Sequence, residues 1–286
     1  MSVFEKTYDV IVVGGGHAGT ALASGCGHAT QLRCPYHGWT YDLDGRLRTA
    51  PRTAGLKGFR REDFGLVPIS VSTWGPLLLL NPTGDLPAPD LEPLSSRLEA
   101  MDWSQLVYHS SRSYELACNW KVFVDNYLDG GYHVECLHPD LAAELDLANY
   151  TTDLYDRFSI QSSPSSGDAT DRLAGDAIYA WVYPNLMINR YGPMMDINVV
   201  TPTGPGTCRV DFDWYFHQGC TERFKEESLV YSQQVQTEDI DICEAVQVGM
   251  GSSHFHPGPY APRVEMGKHH FHGLLAADLQ GDGDGP

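Results

Sequence analysis

The segment RCPYHGWTYDLDGRL, residues 33–47, places two metal-binding side chains on one tight turn. Two residues separate Cys34 from His37, and a Gly-Trp pair follows directly. The strand-like residues beyond are interrupted by an Asp-Gly pair, which is typical of a β-hairpin turn. A thiolate and an imidazole held this close favour a metal site in a small antiparallel β domain. A zinc knuckle, an iron–sulfur half-site and an accidental Cys/His pair are the alternatives at this point.

The pattern C-P-Y-H-G-W-x-Y-D-x-x-G resembles the second cluster-binding loop of the Rieske [2Fe–2S] domain. In that family two cysteines bind one iron and two histidines bind the other. The resemblance implies that Cys34 and His37 are ligands, and that a C-x-H loop about sixteen residues earlier supplies the other pair. That spacing leads to His17, but Gly15 stands where the family has its cysteine. Cys26 and His28 are the alternative pair, only five residues before Cys34.

The chain begins with a different pattern, DVIVVGGGHAG, in which an apolar strand leads into glycines. Residues 14–19 fit G-x-G-x-x-G, in which glycines let the backbone approach a pyrophosphate at a helix N-terminus. The start resembles the flavoprotein family called glucose-inhibited division protein A, so flavin binding is a weak alternative function. Because CPYHGW follows within a short distance, the pattern indicates an unrelated start joined at about residues 15–20.

A second metal-binding pattern lies in NWKVFVDNYLDGGYHVECLHPDL, residues 119–141. His133 and His138 are five residues apart, about 140° around a regular helix. Both can reach one metal ion only if the helix ends or distorts between them, and Pro139 marks such an end. Two histidines and one carboxylate form the facial triad of non-haem Fe(II) oxygenases.

The same segment resembles the catalytic-domain signature of Rieske oxygenase α subunits, and the DNYLDGGYHV stretch resembles their choline monooxygenase branch. The resemblance implies a third iron ligand from a C-terminal helix, and we predict Asp239. Asp241 lies about 200° further around that helix and cannot face the same ion. Apolar residues three and seven positions after Asp239 favour it as the inward carboxylate. The resemblance also implies catalytic roles for Asn126 and for Asp129, which would bridge the iron to the Rieske cluster of a neighbouring subunit in a homotrimer.

Composition limits the partners and the location. The 286-residue chain carries a net charge of −18, which argues against nucleic acid and anionic membranes. Its longest apolar runs are far shorter than the roughly 20 residues of a membrane helix. No signal-like segment opens the sequence, so we expect a cytoplasmic protein. Seven scattered cysteines indicate free thiols and a metal site instead of a disulfide framework.

We predict an α+β chain in two domains, of which the second contains a strand candidate at AIYAWVYPNLMINRY (residues 177–191), a long helix at about 222–248 and a short last helix at HFHGLLAADL (residues 270–279). By resemblance, the first is a small antiparallel β Rieske domain that is N-terminally incomplete, and the second has the helix-grip (START/SRPBCC-like) fold. The predicted divisions are a glycine-rich start (1–16), the partial Rieske domain (17–82), a linker (83–104), the catalytic domain (105–280) and a flexible tail (281–286).

The implied function is a Rieske oxygenase that hydroxylates a small organic substrate with O2, choline or a related quaternary ammonium compound being favoured. Electrons come from NAD(P)H through a separate reductase or ferredoxin. Aromatic-ring dioxygenation is the rival reaction, and a helix-grip ligand-binding protein without electron input is the non-enzymatic alternative. Because tyrosine and tryptophan faces attract quaternary ammonium groups, the candidate substrate contacts are Trp181, Tyr183, Tyr191, Trp214 and Tyr215.

Overall fold

The computed structural model describes residues 22–23, 28–81, 89–164 and 176–281 of the chain. The chain divides into two compact units, the first comprising residues 1–74 and 78–88 and the second residues 75–77 and 89–286. No helix in the described ranges combines the length and apolar character needed to cross a membrane.

The first unit is built from short antiparallel strands. Its three-stranded sheet has the order β1-β2-β3, and a hairpin of β4 and β5 accompanies it. The bounds are β1 Leu32–Arg33, β2 Thr40–Tyr41, β3 Leu47–Thr49, β4 Ser70–Trp74 and β5 Leu77–Asn81. The expected Asp-Gly turn is present: the amide of Gly45, at φ +85°, donates to the Asp42 carbonyl. The rings of Trp39, Phe59 and Phe64 pack edge to face and stacked beside this sheet.

The second unit is organised around one antiparallel sheet of seven strands, in the order β6-β12-β11-β10-β9-β8-β7. The strands are β6 Leu106–Leu116, β7 Thr151–Leu154, β8 Phe158–Ser163, β9 Ala177–Val182, β10 Leu186–Tyr191, β11 Met194–Gly204 and β12 Thr207–His217. The helices are α1 Leu94–Ala100, α2 Trp120–Tyr127, α3 Val134–Leu137, α4 Pro139–Glu144, α5 Glu222–Met250 and α6 Met266–Gln280. Phe123 of α2 and Leu128, which directly follows α2, join Trp181, Met187 and Phe212 of the sheet in one core.

The long helix α5 has an unusual buried face. Its Thr221 N-cap hydroxyl accepts a hydrogen bond from the Phe224 amide at 3.2 Å, which starts the helix. Its buried residues are small or polar instead of large and apolar: Ser228, Ser232, Gln236 and Cys243. Ile242 and Val246, which the sequence argument placed toward the interior, are 37% and 44% exposed, so that part of the argument was wrong.

The last helix, α6, begins four residues earlier than the sequence indicated and fastens the C-terminal segment to the end of α2. The backbone amide of Lys268 donates to the Leu128 carbonyl at 3.1 Å. At the far end of α6, Asp278 accepts hydrogen bonds from Arg157 at 2.9 Å and from Tyr183 at 2.6 Å. These hydrogen bonds, that of Arg157 first, lower the pKa of the Asp278 carboxyl.

Two further stretches differ from the sequence expectation. Residues 177–191, expected as one strand, form β9 and β10, paired antiparallel. The C-terminal part of the expected linker forms α1 and a 3-10 turn, in which Leu94, Leu98 and Trp103 are buried. Helix α1 has only seven residues, which is too short for a clear helical period in the sequence. The prolines that precede it therefore led to the prediction of a linker.

Candidate metal centre and substrate cavity

Three potential metal ligands converge in the second unit. One donor atom from each of His133, His138 and Asp239 lies within 4.8 Å of the others. The Asp239 Oδ1 atom is 3.1 Å from His138 Nε2 and 3.8 Å from His133 Nε2. Among the described residues this is the one group of three or more such side chains. The predicted pair of histidines and Asp239 are therefore brought together, although they come from distant parts of the chain.

The local sequence explains how two histidines five residues apart meet. His133 is the N-cap of α3, and His138 lies between the end of α3 and the start of α4, with φ −122° and ψ 70°. Pro139 is the first residue of α4, where its missing N–H costs nothing. The chain enters α3 through two glycines, Gly130 and Gly131, at φ +71° and +77°. The helix is thus interrupted between the two histidines, as one shared metal ion requires.

Carboxylates orient both imidazole rings. Asp129, which is 6% exposed, contacts His133 Nδ1 at 2.7 Å and also accepts from the backbone amides of Tyr132 and His133. Glu238 contacts His138 Nδ1 at 2.6 Å. Because an ionised carboxylate only accepts, each Nδ1 carries the hydrogen, and each Nε2 is left as the potential metal donor.

The charges around His138 act on its protonation. Burial lowers its pKa, but Asp239 and Glu238 together outweigh burial and raise the pKa above its ordinary value. On the other side, Asn126 Nδ2 donates to Asp239 Oδ1 at 2.7 Å and so holds that carboxylate in place. Two imidazole nitrogens and one carboxylate oxygen match the facial set of non-haem Fe(II) sites, so the residues present fit a mononuclear iron.

The three residues open on a cavity of about 140 Å³ that is enclosed by α2, α5 and the sheet. Tyrosines dominate its aromatic lining, which comprises Tyr127, Tyr150, Tyr179, Tyr191, Phe212, Tyr231 and Phe123. Burial first, then neighbouring phenols and acids, raise the pKa values of Tyr127 and Tyr150 well above normal, so both stay uncharged. The polar lining includes Asp196, Asn189, Asn198, Gln161 and Gln236.

One row across the sheet supplies much of this wall. The antiparallel register places Gln161 opposite Tyr179, Tyr179 opposite Asn189, and Asn189 opposite Asp196. Residues directly opposite each other in paired strands point to the same face of the sheet. Four strands therefore direct four polar or aromatic side chains toward the cavity at the same level.

Of the five aromatic candidates predicted from the sequence, only Tyr191 lines the cavity. Trp181 is fully buried against Phe271 of α6, and the Trp214 indole donates to Ser232. Tyr183 belongs to the Asp278 cluster, and Tyr215 packs on Tyr108. The sequence argument missed Tyr127, Tyr150, Tyr179 and Asp196; a carboxylate inside the apolar run MMDINVV was the available signal for Asp196.

The first unit carries the Cys34 and His37 loop. The loop closes through the Cys34 amide, which donates to the Trp39 carbonyl at 2.8 Å, and through the Gly38 amide, which donates to the Cys34 carbonyl at 3.0 Å. Cys34 is half-buried and His37 is exposed. The described residues therefore include two of the four expected donors, on one tight turn. His28 is exposed, while His17 and Cys26 lie outside the described residues.

Two family descriptions match the chain. Ring hydroxylating alpha subunit (catalytic domain) matches residues 103–167 and 155–281. Rieske [2Fe-2S] domain matches residues 9–60, which include the glycine-rich segment of the start.

Similar proteins and structures were also found. The chain is 43% identical to the chloroplastic choline monooxygenase of Arabidopsis thaliana, over 92% of this chain and 67% of that protein. It is 35% identical to the chloroplastic choline monooxygenase of Beta vulgaris, over 92% of this chain and 62% of that protein. The chain thus spans about two thirds or less of the length of these relatives. The structure of a quaternary ammonium Rieske monooxygenase, studied for carnitine oxidation, superposes with a TM-score of 0.77 at 23% identity and covers 94% of this chain and 77% of that one.

Proposed function

The chain belongs to the family of ring-hydroxylating oxygenase α subunits, and we propose that it hydroxylates a quaternary ammonium compound with O2. The observation that carries this proposal is that His133, His138 and Asp239 meet in the wall of a tyrosine-lined cavity. Tyrosine faces attract such cations, and the lining residues include no lysine or arginine that would repel them. The choline monooxygenase names of the relatives support the same substrate class.

The residues of the site would have distinct roles in the proposed reaction. His133, His138 and Asp239 would hold Fe(II), which when bound supplies the activation of O2. Asp129 and Glu238 would keep the two Nε2 atoms directed at the metal position. In the overall reaction one oxygen atom enters a substrate C–H bond and the other leaves as water, with two electrons and two protons consumed.

Electron input is assigned to the first unit. Cys34 and His37 would each supply a ligand to a different iron of a Rieske-type [2Fe–2S] cluster, and His17 is the proposed third ligand. Gly15 supplies no side chain for the fourth position, so Cys26 and His28 remain substitutes. Asp129 is buried against His133, which supports its proposed role as the electron bridge to a neighbouring subunit in a homotrimer.

The remaining assignments are also proposals. The electrons would come from NAD(P)H through a separate reductase or ferredoxin. The division into a glycine-rich start, Rieske domain, linker, catalytic domain and tail is retained from the sequence. A cytoplasmic location stays a prediction, beside relatives whose names place them in the chloroplast.

A peroxide reaction tests the proposal without depending on the Rieske cluster. Hydrogen peroxide supplies both the oxygen atom and the two oxidising equivalents, since RH and H2O2 give ROH and water. We expect Fe(II)-loaded protein to consume choline in the presence of hydrogen peroxide and to form an oxidised product, detected by mass spectrometry. The Asp239→Ala variant serves as the control and should form none. Unchanged choline at the end of the reaction, with iron bound to the protein, would contradict the proposed function.

Electron input needs its own measurement. Analysis of acid-labile sulfide with electron paramagnetic resonance detects a reduced Rieske-type cluster in the purified chain. A positive peroxide reaction together with a missing cluster signal would identify a catalytic unit without its own electron supply.

A further inference from the structure

A chain of two hydrogen bonds joins three elements of the second unit at a distance from the cavity wall. The Tyr260 hydroxyl lies 2.6 Å from His272 Nδ1, and His272 Nε2 lies 2.8 Å from Asp125 Oδ1. Because an ionised carboxylate only accepts, Nε2 carries the imidazole hydrogen, and Nδ1 accepts from the Tyr260 hydroxyl. His272 of α6 thus holds Asp125 of α2 on one side and the segment before α6 on the other. The three side chains do not line the cavity.

The segment before α6, residues 260–265, is called the clasp segment because it packs on the metal-binding turn. Its Val264 carbonyl occupies the space where a side chain at Gly130 would lie. The segment is also closed on itself, since the Glu265 carboxylate accepts from the Ala261 amide at 2.6 Å. This bond ties the two ends of the segment together, so a contact at its first residue bears on the turn beside its last residues.

Helix α6 supplies a fixed base for these contacts. Phe271, directly before His272, is fully buried and packs against Trp120 and Trp181, with ring centroids 5.7 and 5.4 Å away. The His272 side chain is itself 42% exposed, so its position depends on the core contacts of Phe271 and on its own two hydrogen bonds. Replacement of its imidazole therefore releases two partners without opening the core.

Both partners of the imidazole adjoin residues that orient the candidate metal ligands. Asp125 directly precedes Asn126, whose amide donates to Asp239 Oδ1 at 2.7 Å. The clasp segment packs on the turn of Asp129, whose carboxylate contacts His133 Nδ1 at 2.7 Å. Movement of α2 at Asp125, or of the turn, would therefore change the geometry of the ligand set.

We propose that His272 is a positioning residue of the metal centre, which it supports through α2 on one side and through the clasp segment on the other. A neutral imidazole suits this role because it donates at one ring nitrogen and accepts at the other. Asp125 and Tyr260 are the two contacts through which it acts. This inference rests on the proposed function, because it concerns the iron site of that function.

Titration of the full chain with Co(II) tests this role, since the visible absorption of bound Co(II) reports both its affinity and its coordination geometry. The signal that Asp239→Ala retains belongs to other sites and is subtracted. His272→Phe keeps a ring but removes both hydrogen bonds, so it should weaken Co(II) binding by about 3–10-fold and shift the absorption bands.

Three further variants refine the comparison. His272→Gln retains a donor for Asp125 and should recover part of the affinity. Tyr260→Phe removes only the hydroxyl and should weaken Co(II) binding by about 2–5-fold. His256→Phe replaces an exposed histidine of the same loop, is the matched control, and should change neither the affinity nor the spectrum.

The outcomes separate positioning from stability alone. A purely structural role of His272 would lower the Tm of the metal-free protein and leave the Co(II) affinity and spectrum unchanged, and that result would overturn the inference. If His272→Phe does not fold, Tyr260→Phe decides, and unchanged Co(II) binding in that variant would refute the role. The route through α2 predicts that His272→Phe costs less affinity in an Asn126→Ala background than in the unaltered chain, and full additivity would contradict it.

The same titration distinguishes this inference from the proposed function. Co(II) binding that Asp239→Ala does not diminish would contradict the proposed function. Co(II) binding that Asp239→Ala abolishes and His272→Phe leaves intact would contradict this inference alone.

Discussion

The turn that carries Asp129 is held by a contact that only glycine permits. At Gly130, an added Cβ would lie 2.1 Å from the Val264 carbonyl oxygen and 2.8 Å from its carbonyl carbon. The following residue, Gly131, has a similar φ, but a Cβ there would meet nothing closer than Leu147 Cδ2 at 3.5 Å. Both glycines thus have a positive φ, but only at Gly130 would an added Cβ collide with the Val264 backbone. Gly131→Ala is therefore a matched control for Gly130→Ala.

The expected loss of stability follows from the cost of a positive φ and the cost of the collision. An L-residue in the left-handed region costs about 1–2 kcal/mol, which both variants share. Overpacking against backbone adds about 1–3 kcal/mol in Gly130→Ala alone. For a unit of this size each kcal/mol lowers Tm by about 2–4 °C, so Gly130→Ala should melt about 2–12 °C below Gly131→Ala. If the collision in Gly130→Ala is relieved by movement of the turn and not of Val264, then Asp129 and His133 also move. Iron affinity should then fall by about 10-fold or more.

Thermal unfolding of the metal-free protein and titration with Fe(II) under anaerobic conditions measure the two effects. Equal Tm values and equal iron affinities for Gly130→Ala and Gly131→Ala would show that the contact with Val264 does not hold the metal-binding turn.

Other predictions concern groups around and away from the site. Glu238→Gln should lower iron affinity by about 10–100-fold in a metal titration, because the charge that polarises His138 is lost, whereas Asp241→Asn should leave it unchanged. Asp278 has a pKa below its ordinary value, so its contribution to stability is full above about pH 4 and is lost as the pH falls through its folded pKa. In Asp278→Asn the Tm should therefore fall less steeply than in the unaltered protein when the pH is lowered from about 5 to about 3. An unchanged slope of Tm against pH would refute this. The hydrogen bond with Cys208 lowers the pKa of Cys118, but that with Cys243 and burial raise it overall to about 12, so iodoacetamide should label exposed Cys136 and leave Cys118 unmodified in peptide mass spectrometry.

The convergence of the three candidate metal ligands could be expected from the sequence, because the family resemblance pointed to these residues and local geometry limits how they can meet. Two histidines five residues apart require a broken helix, and Pro139 lies where the break occurs. Helical rotation showed that Asp239 and Asp241 cannot both face one ion, and the resemblance to the family's C-terminal helix selected Asp239. The supporting argument from apolar neighbours failed, because a helix that borders a cavity buries serine and glutamine instead of isoleucine and valine.

The cavity wall could not be predicted in the same way. Alternation in a strand tells which residues share a face, but the register between strands decides which of them meet. Gln161 and Asp196 are 35 positions apart and join one row only through the pairing of β8, β9, β10 and β11. Trp181 shares the inward face with Tyr179, yet α6 covers one and the cavity borders the other. Aromatic composition alone does not distinguish these two environments.

The candidate metal ligands come from helices and their junctions, whereas the row of Gln161, Tyr179, Asn189 and Asp196 in the cavity wall comes from the sheet. Each position of that row belongs to a different strand and can be exchanged singly without touching a metal ligand. In a protein with this architecture, single substitutions in the sheet can therefore change which substrate is bound while the three candidate metal ligands stay the same. Insertions are a different matter: one extra residue within a strand reverses the face of every residue beyond it, so length within the strands is under stricter selection than side-chain identity.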